Sequence, residues 1–330
     1  MSAAFVAIVN YRTGALVIEC LESLAAQIAA LDAGKVIVVD NKSDDDSIAS
    51  IGRAIHERGW SAWAEVLPMP RNGGFAYGCN AAIERARRLA PDLWALVLLN
   101  PDTSVRPGAL ATLLSSLRAR ADAGICGAAI ENVQGQLTVS AHGFPSPLGE
   151  LEAAASFRPL SRWLSRHAVS TDPSRQTHRC DWVSGACMAI RREVLDHVGP
   201  LDERFFLYFE EVDFCRRARR AGWACWFVAD ARVMHLEGAS TGIREARRRL
   251  PAYWFASRRR FFVKAYGVGG LVAADALWTI GRVSLTLRRL LGLGGRASLD
   301  QEPKGVARDL LWGDLRAAWR GELALVSRER

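Results

Sequence analysis

The stretch of residues 94–103, WALVLLNPDT, constrains the fold more than any other part of the 330-residue chain. Residues 95–99 are apolar without alternation, which is typical of a strand covered on both faces in a parallel sheet. Pro101 lacks the backbone N–H that a strand ladder requires, so we expect the strand to end there. Ligands bind at the carboxyl ends of strands in open α/β sheets, so Asn100 and Asp102 are predicted to face a crevice.

Two interpretations of this Asn-Pro-Asp corner stay open on these residues alone. A divalent cation that holds a diphosphate needs only one or two protein carboxylates, because phosphate oxygens and water complete its shell. Asp102 meets that need. Alternatively, Pro101 and Asp102 only form a turn, since both residue types are common in turns.

Strand and helix patterns alternate four times in the first third of the chain. The apolar runs predict strands at residues 5–9, 36–39, 64–67 and 95–99, each followed by apolar residues at helical spacing. Asn10 and Tyr11 follow the first strand, and Asp40 and Asn41 follow the second. The alternation predicts an α/β fold, with a doubly wound, mostly parallel sheet and helices on both faces.

A glycine pair, Gly73-Gly74, lies between Asn72 and the helix that begins near Phe75. Glycines just before a helix let backbone N–H groups approach an anion closely. A lone Gly-Gly pair is also common in plain loops, so an anion site and an ordinary loop both remain open here.

The middle of the chain is less regular. Residues 125–130 predict another strand, with residues 136–141 as its hairpin partner. Residues 143–179 are rich in Pro, Ser, Arg and His, which indicates a variable loop region. We interpret this region as a binding surface for an acceptor substrate.

A run of aromatic residues at 205–209 leads into Glu210, Glu211 and Asp213. Carboxylates packed beside apolar neighbours repel one another and lose solvent, which raises a pKa toward the range of a general base. Alternatively, these glutamates only begin a helix, where acidic residues favour the helix dipole. Residues 223–228 predict a strand, with residues 233–235 as its short continuation, so His235 ends that strand. A lone histidine is commonly structural, but the preceding carboxylate groups favour metal coordination.

The cysteines and the N-terminus indicate the compartment. Seven cysteines are scattered singly without a CxxC pair, which argues against a zinc knot and a disulfide framework. A reducing cytoplasm is the simplest setting. The first residues lack the basic region of a signal peptide.

Positive charge is concentrated at the C-terminal end. Of the 43 Lys and Arg and 35 Asp and Glu residues, 23 and 10 lie in residues 216–330, a net charge of +13, which leaves −5 for residues 1–215. A basic segment on a mildly acidic body indicates an anionic partner, such as membrane lipid, a phosphorylated substrate or nucleic acid. A solvated basic helical face is the alternative.

Residues 241–330 lack the strand pattern of the preceding part. Basic clusters at 247–249 and 258–260 flank aromatic residues, while residues 267–293 are apolar but interrupted by Asp275, Arg282, Arg288 and Arg289. No uninterrupted apolar run there reaches the roughly 18–20 residues of a spanning helix. We therefore expect an interfacial helix on anionic lipid, or an amphipathic helical subdomain packed on the preceding part of the chain.

Six segments between residues 5 and 240 together resemble the family-2 inverting glycosyltransferases with a GT-A fold, and in particular their bacterial rhamnosyltransferase-like branch. They occur in the expected order: VAIVNYRTGALVIECLESL, VIVVDNKSDDDS, RNGGFAYGCNAAI, LLNPDT, WVSGACMAIRREVLDHVGPLDERFFLYFEEVDFCRRARRAGW and VMHLEGAST.

The resemblance implies roles for individual residues. The nucleotide and sugar-nucleotide positions are Asn10, Tyr11, Asp40, Asn41, Asn72, Gly73, Gly74, Phe75, Asn80 and Asn100, the last replacing the first Asp of an Asp-x-Asp metal motif. Asp102 and His235 match metal-binding positions, and Trp182 and Gly185 match the acceptor side. Glu211 stands in the place of the usual catalytic Asp, with Glu210 and Asp213 as neighbours.

The resemblance also implies the reaction and its setting. We expect Mg²⁺ or Mn²⁺ as cofactor and a nucleotide-diphosphate donor, dTDP-L-rhamnose or next a UDP-sugar. The acceptor is expected to be a hydroxyl of a cell-surface glycan or lipid-linked glycan, and the enzyme to be cytoplasmic and peripheral on the inner face of the plasma membrane. Residues 1–240 are expected to form the catalytic domain, with nucleotide-sugar (1–130) and acceptor (131–240) halves, and residues 241–330 a basic amphipathic helical region.

Three other classes of protein compete with this interpretation. A sugar nucleotidyltransferase requires a basic, Gly-rich loop after the first strand, which Asn10-Tyr11-Arg12-Thr13-Gly14 matches poorly. A catalytically degenerate binding partner in a polysaccharide assembly complex would not need all of the carboxylates. A nucleic-acid binder would use the basic tail but leaves the carboxylates without a purpose, so no nucleic-acid partner is expected.

Overall fold

The computed structural model describes residues 3–32, 34–169, 173–236, 249–293 and 303–327. The end of the last motif, residues 237–241, and most of the basic cluster at 247–249 lie outside these ranges. The described residues form two compact units. The first comprises 3–142, 173–206 and 210–236, and the second comprises 143–169, 207–209, 249–293 and 303–327.

The strands agree closely with the apolar runs of the sequence. They are Ala4–Asn10 (β1), Val36–Asp40 (β2), Ala64–Pro68 (β3), Ala95–Leu99 (β4), Thr103–Val105 (β5), Ala123–Glu131 (β6), Ala141–His142 (β7), His178–Cys180 (β8), Trp182–Val183 (β9), Cys187–Arg191 (β10) and Ala224–His235 (β11).

The helices connect these strands in the first unit and build most of the second. They are Gly14–Ala25 (α1), Ser47–Glu57 (α2), Phe75–Leu89 (α3), Ala109–Ala119 (α4), Pro147–Ala155 (α5), Arg158–Trp163 (α6), Arg192–Val198 (α7), Glu210–Arg220 (α8), Ala252–Leu290 (α9), Val306–Trp319 (α10) and Glu322–Ser327 (α11).

Among the described residues, nine strands form one sheet in the order β3-β2-β1-β4-β10-β6-β11-β5, with β8 also paired to β11. Strands β3, β2, β1, β4, β6 and β11 run in one direction, and β10, β5 and β8 run against them. This mixed, mostly parallel sheet confirms the predicted fold class. β7 and β9 form a separate two-stranded sheet.

The core of the first unit explains why the apolar runs become central strands. Every residue of β1, β2 and β4 is buried, as expected for strands that helices cover on both faces. The register aligns Asn10 with Asp40 and Ile8 with Leu99. The polar residues at the carboxyl ends of these three strands therefore lie together at one end of the sheet.

The hairpin predicted for residues 136–141 forms only next to its turn. Leu137 makes an antiparallel bridge to Glu131, and the N–H of Thr138 donates to the carbonyl of Ile130 at 2.8 Å. Ala141 and His142 form β7, which pairs with β9 and not with β6. β10 pairs with residues 125–127 of β6, so the end of β6 is open to the returning chain. The strand predicted at 223–228 and its continuation at 233–235 form β11, which carries a register irregularity between Val228 and Arg232.

A buried arginine organises the second unit. Arg258 on α9 is 2% exposed and donates to Asp275 at 2.9 Å and to Glu150 on α5 at 3.0 Å. Asp314 of α10 lies 3.6 Å from the same guanidinium. Burial raises the pKa of Asp275 to about 7. This network ties three helices together, because a buried charge requires paired carboxylates.

Helix α9 is kinked at Gly267, whose φ of 80° lies in the left-handed region. Beyond the kink, Gly281 permits a close crossing with α5, because an added Cβ would lie 2.8 Å from the Cβ of Ala154. Among the described helices, α9 is long and apolar enough to cross a membrane on length and composition. One such helix is weak evidence, since a buried core helix has the same composition.

Candidate active site

The Asn-Pro-Asp corner meets the end of β11 through strand pairing. β5 begins at Thr103, directly after Asp102, and pairs with β11 so that Thr103 aligns with His235. Asp102 is buried, and its Oδ1 lies 3.0 Å from His235 Nε2. Asn100 Nδ2 lies 3.3 Å from the same nitrogen. The fold thus brings His235 next to Asn100 and Asp102, although more than 130 residues separate it from them in the chain.

The donor set of this corner fits a divalent cation. A single imidazole nitrogen cannot donate to Asp102 and accept from Asn100 in one tautomer, so these contacts do not satisfy all three groups together. The described residues contain no cluster of three or more His, Cys, Asp or Glu side chains arranged for a metal. A cation that keeps several waters and binds phosphate oxygens requires only one or two carboxylates. Asp102 and His235 would supply two protein ligands to such a cation, and water and phosphate oxygens would supply the others.

The predicted nucleotide residues form a buried hydrogen-bonded junction between β1 and β2. Asn10 Nδ2 donates to Asp40 Oδ2 at 2.7 Å, and Asp40 Oδ1 accepts from the backbone N–H of Ser43 at 2.8 Å. Asn10 Oδ1 accepts from the hydroxyl of Thr13 at 2.8 Å. These groups shape both loops, while Tyr11 remains exposed beside them.

The glycine pair lies in a crowded loop. Gly74 has a φ of 90°, and an added Cβ would lie 2.1 Å from the carbonyl oxygen of Phe206. That carbonyl accepts from the N–H of Phe75 at 2.8 Å. Asn72 accepts from the N–H of Gly74 at 3.0 Å. Glycine is therefore required at position 74 both by the backbone conformation and by the close approach.

Two asparagines brace the same region. Asn41 Nδ2 donates to the carbonyl of Gly74 at 2.8 Å, while its Oδ1 is buried without a partner among the described residues. Asn80 on α3 donates to the carbonyl of Leu201 at 2.9 Å and accepts from the N–H of Leu201 at 3.0 Å. Asn80 thus fixes the loop before the aromatic run, and Asn41 offers a free acceptor.

Gly185 lies where three predicted motifs converge. Its neighbour Ala186 accepts from the N–H of Asn100 at 2.9 Å. A Cβ built on Gly185 would lie 3.8 Å from Glu211 Cβ and 3.9 Å from the ring of Phe75. The Asn-Pro-Asp corner, the glycine loop and the glutamate pair therefore border one short segment before β10.

Both glutamates at the start of α8 have unsatisfied carboxyl oxygens. Glu210 is 3% exposed, and the Oε2 atoms of Glu210 and Glu211 are buried with no hydrogen-bond partner among the described residues. Burial raises the pKa of Glu210 well above its usual value, and the charge of Glu211 raises it further. Burial also raises the pKa of Glu211 to about 7. A carboxylate with that pKa is suited to accept a proton near neutral pH.

Backbone strain accompanies this pair. Tyr208 and Phe209, immediately before Glu210, have φ values of 70° and 69°. The left-handed region is costly for large side chains and clusters at functional sites. The aromatic run is therefore a constrained entry to α8.

Asp213 differs in its environment from the two glutamates. Its carboxylate accepts from Arg217 Nε at 2.9 Å, and Arg217 also donates to the carbonyl of Val198 at 2.8 Å. The ion pair lies within α8, and the hydrogen bond from Arg217 to Val198 joins α8 to the end of α7. The geometry supports a structural role for Asp213.

Two contacts, of His142 and of Cys79, were not predicted from the sequence. His142 stacks on Trp182, with ring centroids 4.1 Å apart. The charges of Glu210 and Glu211 reach the buried thiol of Cys79 on α3, whose pKa is raised chiefly by burial. Each contact joins residues far apart in the chain, so no local motif predicts it.

We expect Glu210 to make stability fall as the pH rises. Its pKa is raised in the folded state and ordinary when unfolded, so unfolding releases a proton between these two values and the free energy of unfolding decreases with pH. The corresponding effects of Glu211 and Asp275 level off above their pKa values of about 7. Glu210→Gln is therefore expected to flatten the decrease in Tm between pH 7 and pH 8.

Thermal unfolding across this pH range checks the expectation. Glu193→Gln, an exposed acidic position in the first turn of α7, is the matched control and should keep the wild-type slope. An unchanged slope in Glu210→Gln would show that the Glu210 carboxyl is ionised in the folded protein.

Comparison with known proteins identifies the family of this chain. The profile of the family described as "Glycosyltransferase like family 2" matches residues 3–255. A relative from Mycobacterium tuberculosis, named N-acetylglucosaminyl-diphospho-decaprenol L-rhamnosyltransferase, is 31% identical over 265 residues, which cover 77% of this chain and 81% of the relative.

Two solved structures share the fold. A mannosyltransferase from Pyrobaculum calidifontis in complex with GDP-Man and Mn²⁺ has a TM-score of 0.56 at 15% identity, over 99% of this chain and 84% of that one. GalNAc-T7 with UDP, GalNAc and Mn²⁺ has a TM-score of 0.52 at 15% identity, over 72% of this chain and 45% of that one. The chain thus spans less than half of GalNAc-T7. The fold, the family profile and the mycobacterial relative together establish that this chain belongs to the glycosyltransferase like family 2 and is a hexosyltransferase with the GT-A fold.

Proposed function

We propose that this enzyme transfers a sugar, with inversion, from a nucleotide-diphosphate donor to a hydroxyl of a lipid-linked glycan acceptor. The favoured donor is dTDP-L-rhamnose, with a UDP-sugar as the next candidate. The observation that carries the proposal is the convergence at Gly185. There the Asn100 corner, the Phe75 loop and Glu211 border one segment, so the corner assigned to the diphosphate and a carboxylate of raised pKa lie beside the same short stretch of chain.

The donor is assigned to the edge formed by β1, β2 and β4. The nucleotide is assigned to the exposed ring of Tyr11 and to the unpartnered Oδ1 of Asn41, while Asn10 and Asp40 shape the loops around it. Asp102 and His235 would hold Mg²⁺ or Mn²⁺, and Asn100 is the neighbouring amide. When bound, such a cation neutralises charge on the diphosphate leaving group.

The acceptor is assigned to the side of Glu211 and Trp182. Glu211 in its ionised form removes the proton of an acceptor hydroxyl, and the oxygen forms a bond to the anomeric carbon as that carbon's bond to the diphosphate oxygen breaks. Attack opposite the leaving group inverts the configuration in one step. Glu210 stays protonated beside it, because two buried adjacent carboxylates do not ionise together easily.

The mycobacterial relative supports the sugar and the acceptor class. Its name specifies L-rhamnose and a diphospho-decaprenol acceptor, and 31% identity over most of both chains makes a related pair of substrates the first choice here. An acceptor of this type is amphiphilic, which agrees with an enzyme at a membrane surface.

Exposed apolar side chains support peripheral membrane contact. Most of the large apolar side chains exposed in the described residues belong to the second unit. On α9 they fall on one helical face, at Val272, Ile280, Val283, Leu287 and Leu290, which are 52–79% exposed. Patches of this kind mark interaction surfaces. Together with the excess of arginine, they favour the cytoplasmic face of an anionic membrane.

Release of nucleoside diphosphate tests the proposed reaction. We expect one member of a panel of dTDP- and UDP-sugars to be turned over with Mn²⁺ or Mg²⁺, slowly with water alone and faster with a diphospho-polyprenyl glycan, and chelator to abolish the signal. Metal-dependent nucleotide binding without turnover of any donor, even with such acceptors, would contradict the proposal and favour a degenerate binding partner in polysaccharide assembly.

A further inference from the structure

The second unit contains a groove of about 840 Å³ between α9 and α10. Five arginines line it, namely Arg249, Arg259, Arg308, Arg316 and Arg320, against two carboxylates, Asp309 and Glu322. The groove therefore carries an excess of three positive charges. Its volume lies in the range of sites that hold small molecules.

One wall of the groove is a row of four side chains on and directly after α10, called here the arginine ladder. It consists of Arg308, Trp312, Arg316 and Arg320, which are spaced four residues apart and therefore share one face. Arg316 has no carboxylate partner among the described residues, and the nearest partner of Arg320 is Glu322 at 3.8 Å. Arg316 and Arg320 are therefore like charges four residues apart, which repel each other. An anion bound between their guanidinium groups would stabilise this face of the helix.

The opposite wall holds its arginines in fixed positions. Arg249 makes a two-pronged contact with Asp309, with Nη2 to Oδ1 at 2.7 Å. Arg259 donates to Asp314, and an added Cβ at Gly313 would lie 3.0 Å from Arg259 Nη2. Glycine at 313 leaves room for that guanidinium. Beneath it, Asp314 is shared with the buried Arg258, so the site is built on the network that organises this unit.

The groove also has apolar surface. Phe255, which is 5% exposed, lines it together with Trp312, which is 59% exposed. Leu315 and Trp319, on the same side of α10, are 62% and 91% exposed. Tryptophan at the level of lipid headgroups beside arginine is typical of interfacial helices. An occupant that satisfies both features is anionic at one end and apolar at the other.

We propose that this groove binds the phosphate headgroup of one anionic membrane phospholipid, with Arg316 and Arg320 on the phosphate and Trp312 and Phe255 along the start of the acyl chains. The proposal rests on the membrane contact of the proposed function and locates it at a defined site. It makes attachment depend on particular arginines rather than on net charge alone.

Vesicle binding by the full-length chain tests the site. We expect vesicles of phosphatidylglycerol and phosphatidylcholine to bind the wild type and phosphatidylcholine vesicles to bind it weakly. The double variant Arg316→Gln/Arg320→Gln should bind the anionic vesicles about 30-fold more weakly, the effect of two arginines that contact an anionic surface. Water-soluble dihexanoylphosphatidylglycerol, below its micelle concentration, should bind the wild type with one-to-one stoichiometry in calorimetry.

The second unit supplies a matched control. Arg162 and Arg166 are also four residues apart and exposed, and they lie outside the groove. Arg162→Gln/Arg166→Gln removes the same charge and should weaken binding by less than about threefold, as expected for charges away from the contact. Release of nucleoside diphosphate with water as acceptor should be unchanged in both double variants, which shows that the catalytic unit is intact.

Three results would overturn the inference. Equal losses in the two double variants would show diffuse attraction without a site. Binding of inorganic phosphate as tight as that of the short-chain lipid would show a site for free anions. A wild-type protein that does not bind anionic vesicles at low salt would contradict membrane contact itself. The proposed sugar transfer is tested separately, by turnover of the donor.

Discussion

Asp102→Ala is expected to lower metal-dependent turnover of the nucleotide-sugar by about 10³-fold or more. Stabilisation of a diphosphate leaving group by a bound cation is worth several kcal/mol, and each 1.36 kcal/mol is a factor of ten. Asp102 is the carboxylate of the proposed cation site and is buried against His235 at 3.0 Å. Its loss leaves only a neutral amide and an imidazole, which hold a hard cation poorly.

Binding measurements make this prediction specific. Affinity for Mn²⁺, read from its paramagnetic resonance signal, should fall in the variant, and the donor should bind equally weakly with and without chelator. Asp230→Ala removes an exposed carboxylate from β11, the strand that also carries His235, and should behave as wild type. Wild-type Mn²⁺ affinity in Asp102→Ala would place the cation elsewhere.

Glu211→Gln is expected to lower the rate of transfer by about 10²- to 10⁴-fold, the usual contribution of a positioned general base. The amide keeps the size of the side chain but cannot accept the proton. Donor affinity should stay near wild type, because Glu211 is assigned to the acceptor and not to the nucleotide. Steady-state transfer to an acceptor and calorimetry with the donor separate these two effects.

The pH profile gives an independent signature of the same base. Burial raises the pKa of Glu211 to about 7, and only the ionised form accepts a proton. Wild-type turnover should therefore rise with pH through about 7 and level off above it, while the residual rate of Glu211→Gln lacks this step. Glu193→Gln should retain both rate and profile. A wild-type step unchanged in Glu211→Gln would assign the base to another group.

Several features of the fold follow from sequence because they are local. The run at 95–99 becomes a fully buried strand that ends at the Asn-Pro-Asp corner, since Pro101 cannot continue a ladder. The alternation of apolar runs with segments of helical spacing predicts the α/β sheet, because each pattern lies within one short segment. The six ordered motifs predict the family, which the profile match confirms.

Other features depend on pairings between distant segments. Residues 136–141 have the composition of a hairpin partner for β6, yet only Leu137 and Thr138 lie against its end, and β7 pairs with the distant β9. The roles of the individual site residues also remain predictions. The structure adds that Asp213 is paired with Arg217 and that Glu210 and Glu211 carry unpartnered oxygens.

The sequence by itself determined the family, the fold class and the residue types of the site, because each of these is written in short contiguous segments. Only the tertiary structure decided that the glycine loop, the Asn-Pro-Asp corner and the glutamates border Gly185, and that the arginines of α9 and α10 share one groove. The physical reason is that burial and through-space charge act between residues that the chain keeps far apart. Glu211 alone has an ordinary carboxyl, and folding raises its pKa to about 7.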